Sequence, residues 1–392
     1  MNFEQIKTLD ENSAMGTYAR FPLAIVSGKG AKAIGADGKE YIDFTSGIGV
    51  NCLGYADEVW ADAVSAQAHK LSHISNLYYT DATALFTDKL IKATGFSKAF
   101  LGNSGAEANE CAIKVARKYS FDKYGEGRYE IITLLSSFHG RTMSTLTATG
   151  QDALHPDCFA PYNSGFVYCE KDIEQIKAAI SDKTCAVMME MIQGEGGVIP
   201  LDKDFVKEVC NLAKEKDLLV IIDEVQTGIG RTGKLLAHEN YGIKPDVVTL
   251  AKGLGGGLPI GACLCTEALG GVMSAGTHGS TFGGNPIVCA GASYVLDKVN
   301  NEAFLENVRA NGEYIREKVS GFKNVKSIRG MGMMIGIEVE GKTGADVVKQ
   351  GIANGVICLT AKTLVRLLPP LNITREEIDL GLAELQKKTA VT

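Results

Sequence analysis

The sequence predicts an α/β protein with a large domain built on a parallel or mixed sheet. Helical and strand patterns alternate from residue 55 to about residue 297. The strand candidates are short, continuous apolar runs, which is typical of strands buried on both faces. Unusual polar residues follow directly after these runs, where open α/β sheets bind their ligands. The fold class and the position of a ligand site are therefore predicted together.

Composition excludes several classes of function. The 392 residues carry 40 basic and 46 acidic side chains, and no Lys/Arg cluster of five or more occurs, so no nucleic-acid surface is expected. No apolar run approaches the ~18 residues of a membrane span. The N-terminal residues lack the features of a signal or transit peptide, which favours a cytoplasmic location. Ten cysteines without a C-x-x-C pair indicate buried thiols in a reducing compartment, and the histidine spacing suggests no metal site.

The N-terminal segment 23–44 is predicted to form a hairpin, because apolar and polar residues alternate around a turn at Asp37 and Gly38. Gly28, Gly30 and Ala33 fit the dinucleotide-binding pattern G-x-G-x-x-A. That pattern must open a helix, and the flanking residues here are strand-like, so we favour the hairpin.

The remaining elements follow from periodicity and apolar runs. Helices are predicted at 57–70, 81–93, 105–122, 172–181, 204–217, 302–319 and about 374–388. Strands are predicted at 130–135, 185–192, 218–223, 246–250, 261–265, 325–330 and 333–340. We expect a large domain over 47–297 and a smaller α/β domain formed by 1–46 and 298–392.

The stretch "LVIIDEVQTGIGRTGKL" at 219–235 raises the possibility of a phosphate-binding P-loop, from the spacing of its glycines and Lys234. Leu235 stands where a P-loop needs Ser or Thr to hold magnesium, so the motif is excluded. The apolar run instead ends in Asp223, and a carboxylate there is costly to bury without a partner. Glu224, one residue on, is expected to point elsewhere.

Three further stretches carry candidate chemistry. Gly105 and Ala106 open a helix and offer free N–H groups to a phosphate, although an ordinary helix cap would look the same. Phe138 can stack on a planar ring and Arg141 can grip a carboxylate, the alternatives being core packing and a surface arginine. Lys252 follows a strand and precedes glycines; if desolvated, it loses its proton readily and can form a Schiff base with an aldehyde. These features together with Asp223 match the needs of a pyridoxal phosphate site.

The chain resembles the class-III pyridoxal-phosphate aminotransferases, and among them the acetylornithine aminotransferases. The resemblance runs from "TYARFPL" through "GNSGAEANE", "SFHGRT", "EMIQGEGG", "DEVQTGIGRTG", "LAKGLGGGLPIGA" and "HGSTFGGNP" to "RGMGMMIGIE" and "VRLLPPL". Motifs of this length in this order are highly specific. The resemblance implies the fold of the fold-type-I pyridoxal-phosphate transferases and a homodimer with shared active sites.

The resemblance also implies roles for individual residues. Lys252 would form the Schiff base and move the proton, while Asp223 would keep the pyridine nitrogen protonated. The cofactor-binding residues that it implies are Gly105, Ala106, Phe138, Asp223, Glu224, Val225, Gln226, Lys252 and, from the other subunit, Thr281. The substrate-binding residues that it implies are Arg141, Ser280, Glu195, Arg366 and Tyr18. Glu195 would mask Arg366 and swing away when glutamate binds.

The reaction implied is transfer of the δ-amino group of N-acetylornithine to 2-oxoglutarate, a step of arginine biosynthesis. Related enzymes that act on ornithine, succinylornithine, succinyldiaminopimelate or 4-aminobutyrate share the cofactor motifs and stay open as alternatives. Racemase or aminomutase chemistry on the same cofactor is a second alternative. A non-catalytic scaffold is a third, which the intact set of Lys252, Asp223, Phe138 and Thr281 argues against.

Overall fold

The protein, seen in a computed structural model, is described over residues 1–389, with side chains described up to residue 387. The strands are β1 (Ile25–Lys29), β2 (Lys32–Gly35), β3 (Glu40–Asp43), β4 (Lys98–Gly102), β5 (Glu130–Leu134), β6 (Phe166–Cys169), β7 (Thr184–Met189), β8 (Ile192–Gln193), β9 (Ile199–Pro200), β10 (Leu219–Asp223), β11 (Val247–Leu250), β12 (Gly261–Cys265), β13 (Val325–Met331), β14 (Met334–Val339), β15 (Val356–Ile357), β16 (Leu359–Ala361) and β17 (Leu364–Leu367). The helices are α1 (Phe3–Ser13), α2 (Ser46–Gly49), α3 (Glu58–Lys70), α4 (Asp81–Thr94), α5 (Gly105–Tyr124), α6 (Met143–Ala148), α7 (Ile173–Ala179), α8 (Lys203–Glu215), α9 (Pro286–Val299), α10 (Glu302–Ser320), α11 (Gly344–Asn354) and α12 (Arg375–Thr389).

A seven-stranded sheet in the order β4-β12-β11-β10-β7-β5-β6 forms the centre of the fold. β12 runs antiparallel to both of its neighbours, β11 and β4, while the other pairs are parallel. The carboxyl ends of β4, β5, β7, β10 and β11 therefore meet at one edge. This arrangement confirms the predicted α/β fold with a mostly parallel sheet.

Both faces of the central sheet are buried, because successive side chains of a strand point to opposite sides. On β10, Ile222 belongs to the main apolar core, whereas Ile221 packs into a second cluster with residues of α5. Ile132 and Ile131 of β5 divide in the same way. This two-sided burial explains why the strands appear as continuous apolar runs in the sequence.

The predicted helices all form, and each begins and ends within two residues of its predicted bounds. One predicted strand is too long, because the run 185–192 leaves the sheet after Met189. Glu190 ends it, since the carboxylate of Glu190 accepts hydrogen bonds from the backbone N–H groups of Phe138 and Gly194. The helices that were not predicted are α1, α2, α6, α9 and α11, and the strands that were not predicted are β4, β6, β8, β9 and β15 to β17.

The two chain ends share a second sheet. β2 and β3 form the predicted hairpin with its turn at Asp37 and Gly38. β1 pairs antiparallel with β2 through a turn at the left-handed Gly30, so the G-x-G-x-x-A pattern lies in a hairpin and not at the start of a helix. β15, from the C-terminal part, then pairs in parallel with β3. A third sheet, β13-β14-β17-β16, lies wholly in the C-terminal part and carries Arg366 on β17.

Helix α2 is a left-handed turn. Its residues have φ angles of 47° at Ser46, 61° at Gly47, 65° at Ile48 and 79° at Gly49. Ile48 is a β-branched residue in a conformation that costs roughly 1–2 kcal/mol for any residue other than glycine. No helix among the described residues has the length and apolar character needed to cross a membrane.

Candidate active site

A cavity of about 510 Å³ opens at the carboxyl edge of the central sheet. Residues following β4, β5, β10 and β11 line it, as the topology of a parallel sheet predicts. Of the residues predicted from the sequence, those that line the cavity are Gly105, Ala106, Phe138, Arg141, Asp223, Val225, Gln226 and Lys252. The structure therefore brings together four stretches that are far apart in the chain.

Asp223 ends β10 at the floor of this cavity and is only 4% exposed. Its Oδ2 accepts hydrogen bonds from Asn109 Nδ2 at 2.7 Å and from His139 Nδ1 at 2.8 Å. Its Oδ1 accepts the backbone N–H of Val225 at 3.0 Å. Three donors on one carboxylate fix its orientation at the edge of the cavity.

Lys252 begins a short 3₁₀ turn after β11 and has a φ of 46°, which is rare for a residue with a side chain. Burial lowers the pKa of its ammonium group, and the negative charges of Asp223 and Glu195 only partly oppose that effect. A strained, desolvated lysine facing a cavity is typical of a functional site rather than of a solvated surface lysine.

The N-terminus of α5 forms one wall of the cavity. Ser104 caps the helix by accepting the N–H of Glu107, and the N–H groups of Gly105 and Ala106 come too early in the helix to have partners within it. A Cβ placed on Gly105 would lie 2.7 Å from a methyl carbon of Val225, so only glycine allows this close approach. The wall thus offers backbone donors to an anion.

Phe138 and Arg141 lie beside each other on the loop after β5. The Arg141 guanidinium sits over the Phe138 ring, 5.5 Å from its centroid, and the arginine is exposed at the rim of the cavity. Beneath them, Glu190 Oε2 accepts the backbone N–H of Phe138 at 3.0 Å. Burial raises the pKa of this carboxyl to about 8, with His139 and Asp223 acting in opposite directions.

Glu195 and Arg366 form a bidentate ion pair next to the cavity. Arg366 Nη1 and Nη2 donate to the two carboxylate oxygens of Glu195 at 2.5 Å and 3.2 Å, and Arg366 is 3% exposed. Gln226 completes the group, because its Oε1 accepts from Arg366 and its Nε2 donates to Glu195. Burial alone would raise the pKa of Glu195, but the charge and hydrogen bonds of Arg366 outweigh it and hold this pKa below its usual value.

Six residues of the predicted site do not line the cavity: Glu195 and Arg366 lie beside it, and Glu224, Ser280, Thr281 and Tyr18 lie elsewhere. Glu224 points away, since its carboxylate accepts the N–H groups of Ala237 and His238 and pairs with the His238 ring. Ser280 and Thr281 belong to the loop before α9, where Thr281 is exposed. Tyr18 is 74% exposed and borders a different cavity beside α1.

Arg231, from the motif tested as a P-loop, is a buried scaffold residue. Its Nη1 donates to the carbonyl oxygens of Met333 at 3.2 Å and Pro369 at 2.5 Å. The guanidinium therefore joins the loop after β10 to the C-terminal part of the chain.

Sequence reasoning missed three residues of the site: Asn109, His139 and Glu190. Glu190 showed the same signal as Asp223, a lone carboxylate in an apolar run, but apolar residues continue after it and concealed the end of the strand. Asn109 and His139 lie inside the quoted motifs "GNSGAEANE" and "SFHGRT". Nothing local marks them, because their partner Asp223 is 114 and 84 residues away.

Comparison with known proteins identifies the family of this chain. The family model "Aminotransferase class-III" matches residues 14–388. The chain belongs to the class-III aminotransferases. It is 50% identical to the acetylornithine aminotransferase of Haemophilus ducreyi over 388 residues, with 98% of each chain covered. The relative of the same name from Caldanaerobacter subterraneus is 45% identical over 381 residues, 96% of each chain.

Solved structures of class-III aminotransferases show the same fold. An ornithine aminotransferase from Toxoplasma gondii superposes with a TM-score of 0.94 at 30% identity, covering 99% of this chain and 94% of that one. The N-acetylornithine aminotransferase from Stenotrophomonas maltophilia gives 0.83 at 34% identity, covering 97% of both chains. This class-III aminotransferase therefore has the fold-type-I architecture that the sequence predicted.

Proposed function

We propose that this protein is an acetylornithine aminotransferase that uses pyridoxal 5′-phosphate. It transfers the δ-amino group of N-acetylornithine to 2-oxoglutarate, giving N-acetylglutamate 5-semialdehyde and glutamate, a reaction of arginine biosynthesis. The observation that carries the proposal is that Lys252 and Asp223 line one cavity, with the Glu195–Arg366 pair bonded to Gln226 at its side. Relatives at 50% and 45% identity bear this enzyme's name.

The residues present fit the cofactor. The open N-terminus of α5 suits a phosphate, and the Phe138 ring borders the space for a flat heterocycle. The Asp223 carboxylate, held by three donors, can accept a hydrogen bond from a proton-bearing ring nitrogen. When bound, pyridoxal phosphate supplies an aldehyde that carries the amino group and a pyridinium ring that withdraws electrons from the reacting carbon.

Lys252 is the residue that moves protons. Its pKa is lowered by burial, so a larger fraction of its amine is unprotonated near neutral pH than for a solvated lysine. An unprotonated Nζ would hold the aldehyde of the cofactor and, when free, could take the proton from the substrate carbon that loses its amino group. Asp223, which also lines the cavity, would hold the ring nitrogen of the cofactor.

Substrate choice depends on two arginines. Arg141 lies exposed at the rim, where its planar guanidinium can hold the α-carboxylate of N-acetylornithine. Arg366 is neutralised by Glu195 in this structure, which suits a substrate whose reacting carbon bears no carboxylate. Glutamate does carry a carboxylate there, and Glu195 must leave Arg366 for that carboxylate to bind.

We further propose a homodimer with shared sites in a reducing cytoplasm. Thr281 and Ser280 lie outside the cavity of their own chain, and Thr281 is exposed as a residue serving a second copy would be. Large apolar side chains are exposed on the same loop, at Phe282, and on the segment 74–79, at Ile74, Leu77, Tyr78 and Tyr79. All ten cysteines are unpaired, which supports a reducing compartment.

The test is a visible absorption spectrum of the purified protein with bound pyridoxal phosphate. N-acetylornithine alone should bleach the cofactor band, and 2-oxoglutarate added afterwards should restore it. A band that responds to ornithine, succinylornithine, succinyldiaminopimelate or 4-aminobutyrate but not to N-acetylornithine would keep the chemistry and change the substrate. If no amino donor alters the band, the transaminase proposal fails.

A further inference from the structure

Asn109 sits at the centre of a buried hydrogen-bond network beneath the active-site cavity. Its Nδ2 donates to Asp223 Oδ2 and to the backbone carbonyl of His139, both at 2.7 Å. Its Oδ1 accepts the hydroxyl of Thr249 at 2.6 Å. The residue is 1% exposed, and a flipped amide would place its oxygen against two acceptors. One orientation of the Asn109 side chain is thus strongly preferred.

The network leaves the Asp223 carboxylate with few free positions at which it can accept a hydrogen bond. A carboxylate has about four acceptor positions. Among the described residues, the donors to Asp223 are Asn109, His139 and the backbone N–H of Val225. About one position therefore remains, on a side chain that borders the cavity. Asn109 and His139 both occupy Oδ2, so together they fix how the carboxylate is turned.

Helix α5 connects this acid to the opposite wall of the cavity. Gly105 and Ala106 form its first turn, where we place the phosphate, and Asn109 follows about one turn later. Thr249, the partner of Asn109, lies on β11 directly before the turn that carries Lys252. One amide therefore joins the phosphate-binding helix, the acid on β10 and the strand that leads to the lysine.

We propose that Asn109, oriented by Thr249, is a positioning residue that aims the last acceptor position of Asp223 at the cofactor's ring nitrogen. This inference rests on the proposed cofactor. It assigns Asn109 a role at one end of the cofactor only, so its loss should weaken binding through the ring nitrogen and leave the phosphate contacts of α5 in place.

The experiment compares pyridoxal phosphate with its carbocyclic analogue, in which C–H replaces the ring nitrogen. Apoprotein is titrated with each compound, and binding is followed by the fluorescence of Trp60. Trp60 is the single tryptophan of the chain, and its ring lies against Gly257 at the cavity wall. The ratio of the two dissociation constants measures the contribution of the ring nitrogen alone.

In the wild-type protein pyridoxal phosphate should bind more tightly than the analogue. In Asn109→Ala this ratio should fall by on the order of tenfold, the size expected for losing hydrogen bonds to a charged group. Thr249→Val, which is nearly isosteric, should lower the ratio in the same direction by less. An unchanged ratio in Asn109→Ala would overturn the proposal, even if both compounds bound more weakly, because that result would indicate only a looser fold.

The chain supplies a matched control in Asn311. This asparagine is 2% exposed on α10 and donates to the carbonyl of Ile373, away from the cavity. Asn311→Ala should cost folding stability as Asn109→Ala does, but leave the ratio at the wild-type value. A ratio that fell equally in both variants would also overturn the positioning role. A wild-type protein that bound neither compound would count against the proposed function itself.

Discussion

Glu190 shows how one enclosed carboxyl group links the stability of the protein to pH. It is 5% exposed, and burial raises its pKa from 4.5 to about 8 in the folded protein. Between these values the folded state binds a proton that the unfolded state has lost. The free energy of unfolding therefore falls as pH rises through this window.

We predict that Glu190→Gln removes this dependence. The wild-type protein should lose up to about 1.4 kcal/mol per pH unit relative to the variant between about pH 5 and pH 8. Urea unfolding at several pH values in this range measures the difference. Glu174→Gln, at an exposed position on α7, is the control and should run parallel to the wild type. If the free energies of unfolding of the wild type and of Glu190→Gln also ran parallel with pH, Glu190 would be ionised over this whole pH range.

Arg141 gives a prediction on substrate binding. Arg141→Ala should raise KM for N-acetylornithine by about 10- to 100-fold, because a charged hydrogen-bond pair is lost. N-acetylputrescine is the matched substrate, since it has the same reacting end and lacks the α-carboxylate; its KM should stay nearly constant. Steady-state kinetics with both amines tests this prediction. Equal increases in the two KM values would show that Arg141 does not recognise the α-carboxylate.

Individual site residues could be predicted where the sequence around them carries a local signature, and could not be predicted elsewhere. Asp223 ends an apolar run and Lys252 precedes a glycine cluster, so both could be predicted. Asn109 acquires its role only when α5, β10 and β11 come together, and no spacing in the chain encodes that contact. The resemblance assigns Glu224 to the cofactor, but its position one residue after Asp223 turns its side chain toward His238.

Among the elements, α8 illustrates how a single side chain sets a helix boundary. Asp202 precedes the helix, and its carboxylate accepts the N–H groups of Asp204 and Phe205, both at 2.9 Å. These groups have no partners within the helix, so the cap stabilises its first turn. The negative charge also lies favourably at the positive end of the helix dipole.

Asp202→Ala should lower the free energy of unfolding by about 1 kcal/mol. Asp202→Asn keeps a capping oxygen and should recover most of that loss. Turnover at saturating substrate should match the wild type in both variants, because Asp202 does not line the active-site cavity. Chemical denaturation tests the predicted stabilities, and a standard activity assay tests the predicted turnover. A loss of turnover in the folded variant would contradict the separation of α8 from the site.

Most of the long helices and the long apolar strands were predictable from the sequence. Some of the other elements were not, and the reasons are physical. Helix α9 buries seven of its 14 residues, and together they cover more than half of its circumference, which is wider than the apolar stripe of a typical surface helix: Pro286, Cys289, Gly291, Ala292, Val295, Leu296 and Val299. Its start signal, Asn285 followed by Pro286, is nevertheless present in the sequence. Strands β15, β16 and β17 have two to four residues each, too few for a period to emerge.

For the whole molecule, the proposed shared sites can be tested by subunit mixing. Lys252→Ala removes the reacting amine, and Thr281→Glu would place a carboxylate against the phosphate of the neighbouring site. Each variant alone should be nearly inactive. Mixed after unfolding and refolding, the chains should regain about a quarter of wild-type activity, because half of the dimers are hybrids with one intact site of two. Absence of recovery would mean that Thr281 serves its own chain.

The division into a large domain over 47–297 and a small one from 1–46 and 298–392 stays a prediction. The pairing of β3 with β15 supports it, because this sheet can form only from both ends of the chain. The sequence suggested the joint domain through its terminal strand patterns, but the pairing partner of β3 is a strand of two residues that no pattern marks.

The position of β12 has a consequence for how the protein is made. β4 leads into α5, yet its only neighbour in the described sheet is β12, which lies more than 150 residues later. A chain emerging from the ribosome therefore cannot insert β4 until Gly261–Cys265 has been synthesised. Until then β4, which leads into Gly105 and Ala106 at the start of α5, has no partner strand in the sheet, although α5 itself also packs against β10. Cofactor capture should accordingly be a late event of biosynthesis, and bound pyridoxal phosphate should report a completed central sheet.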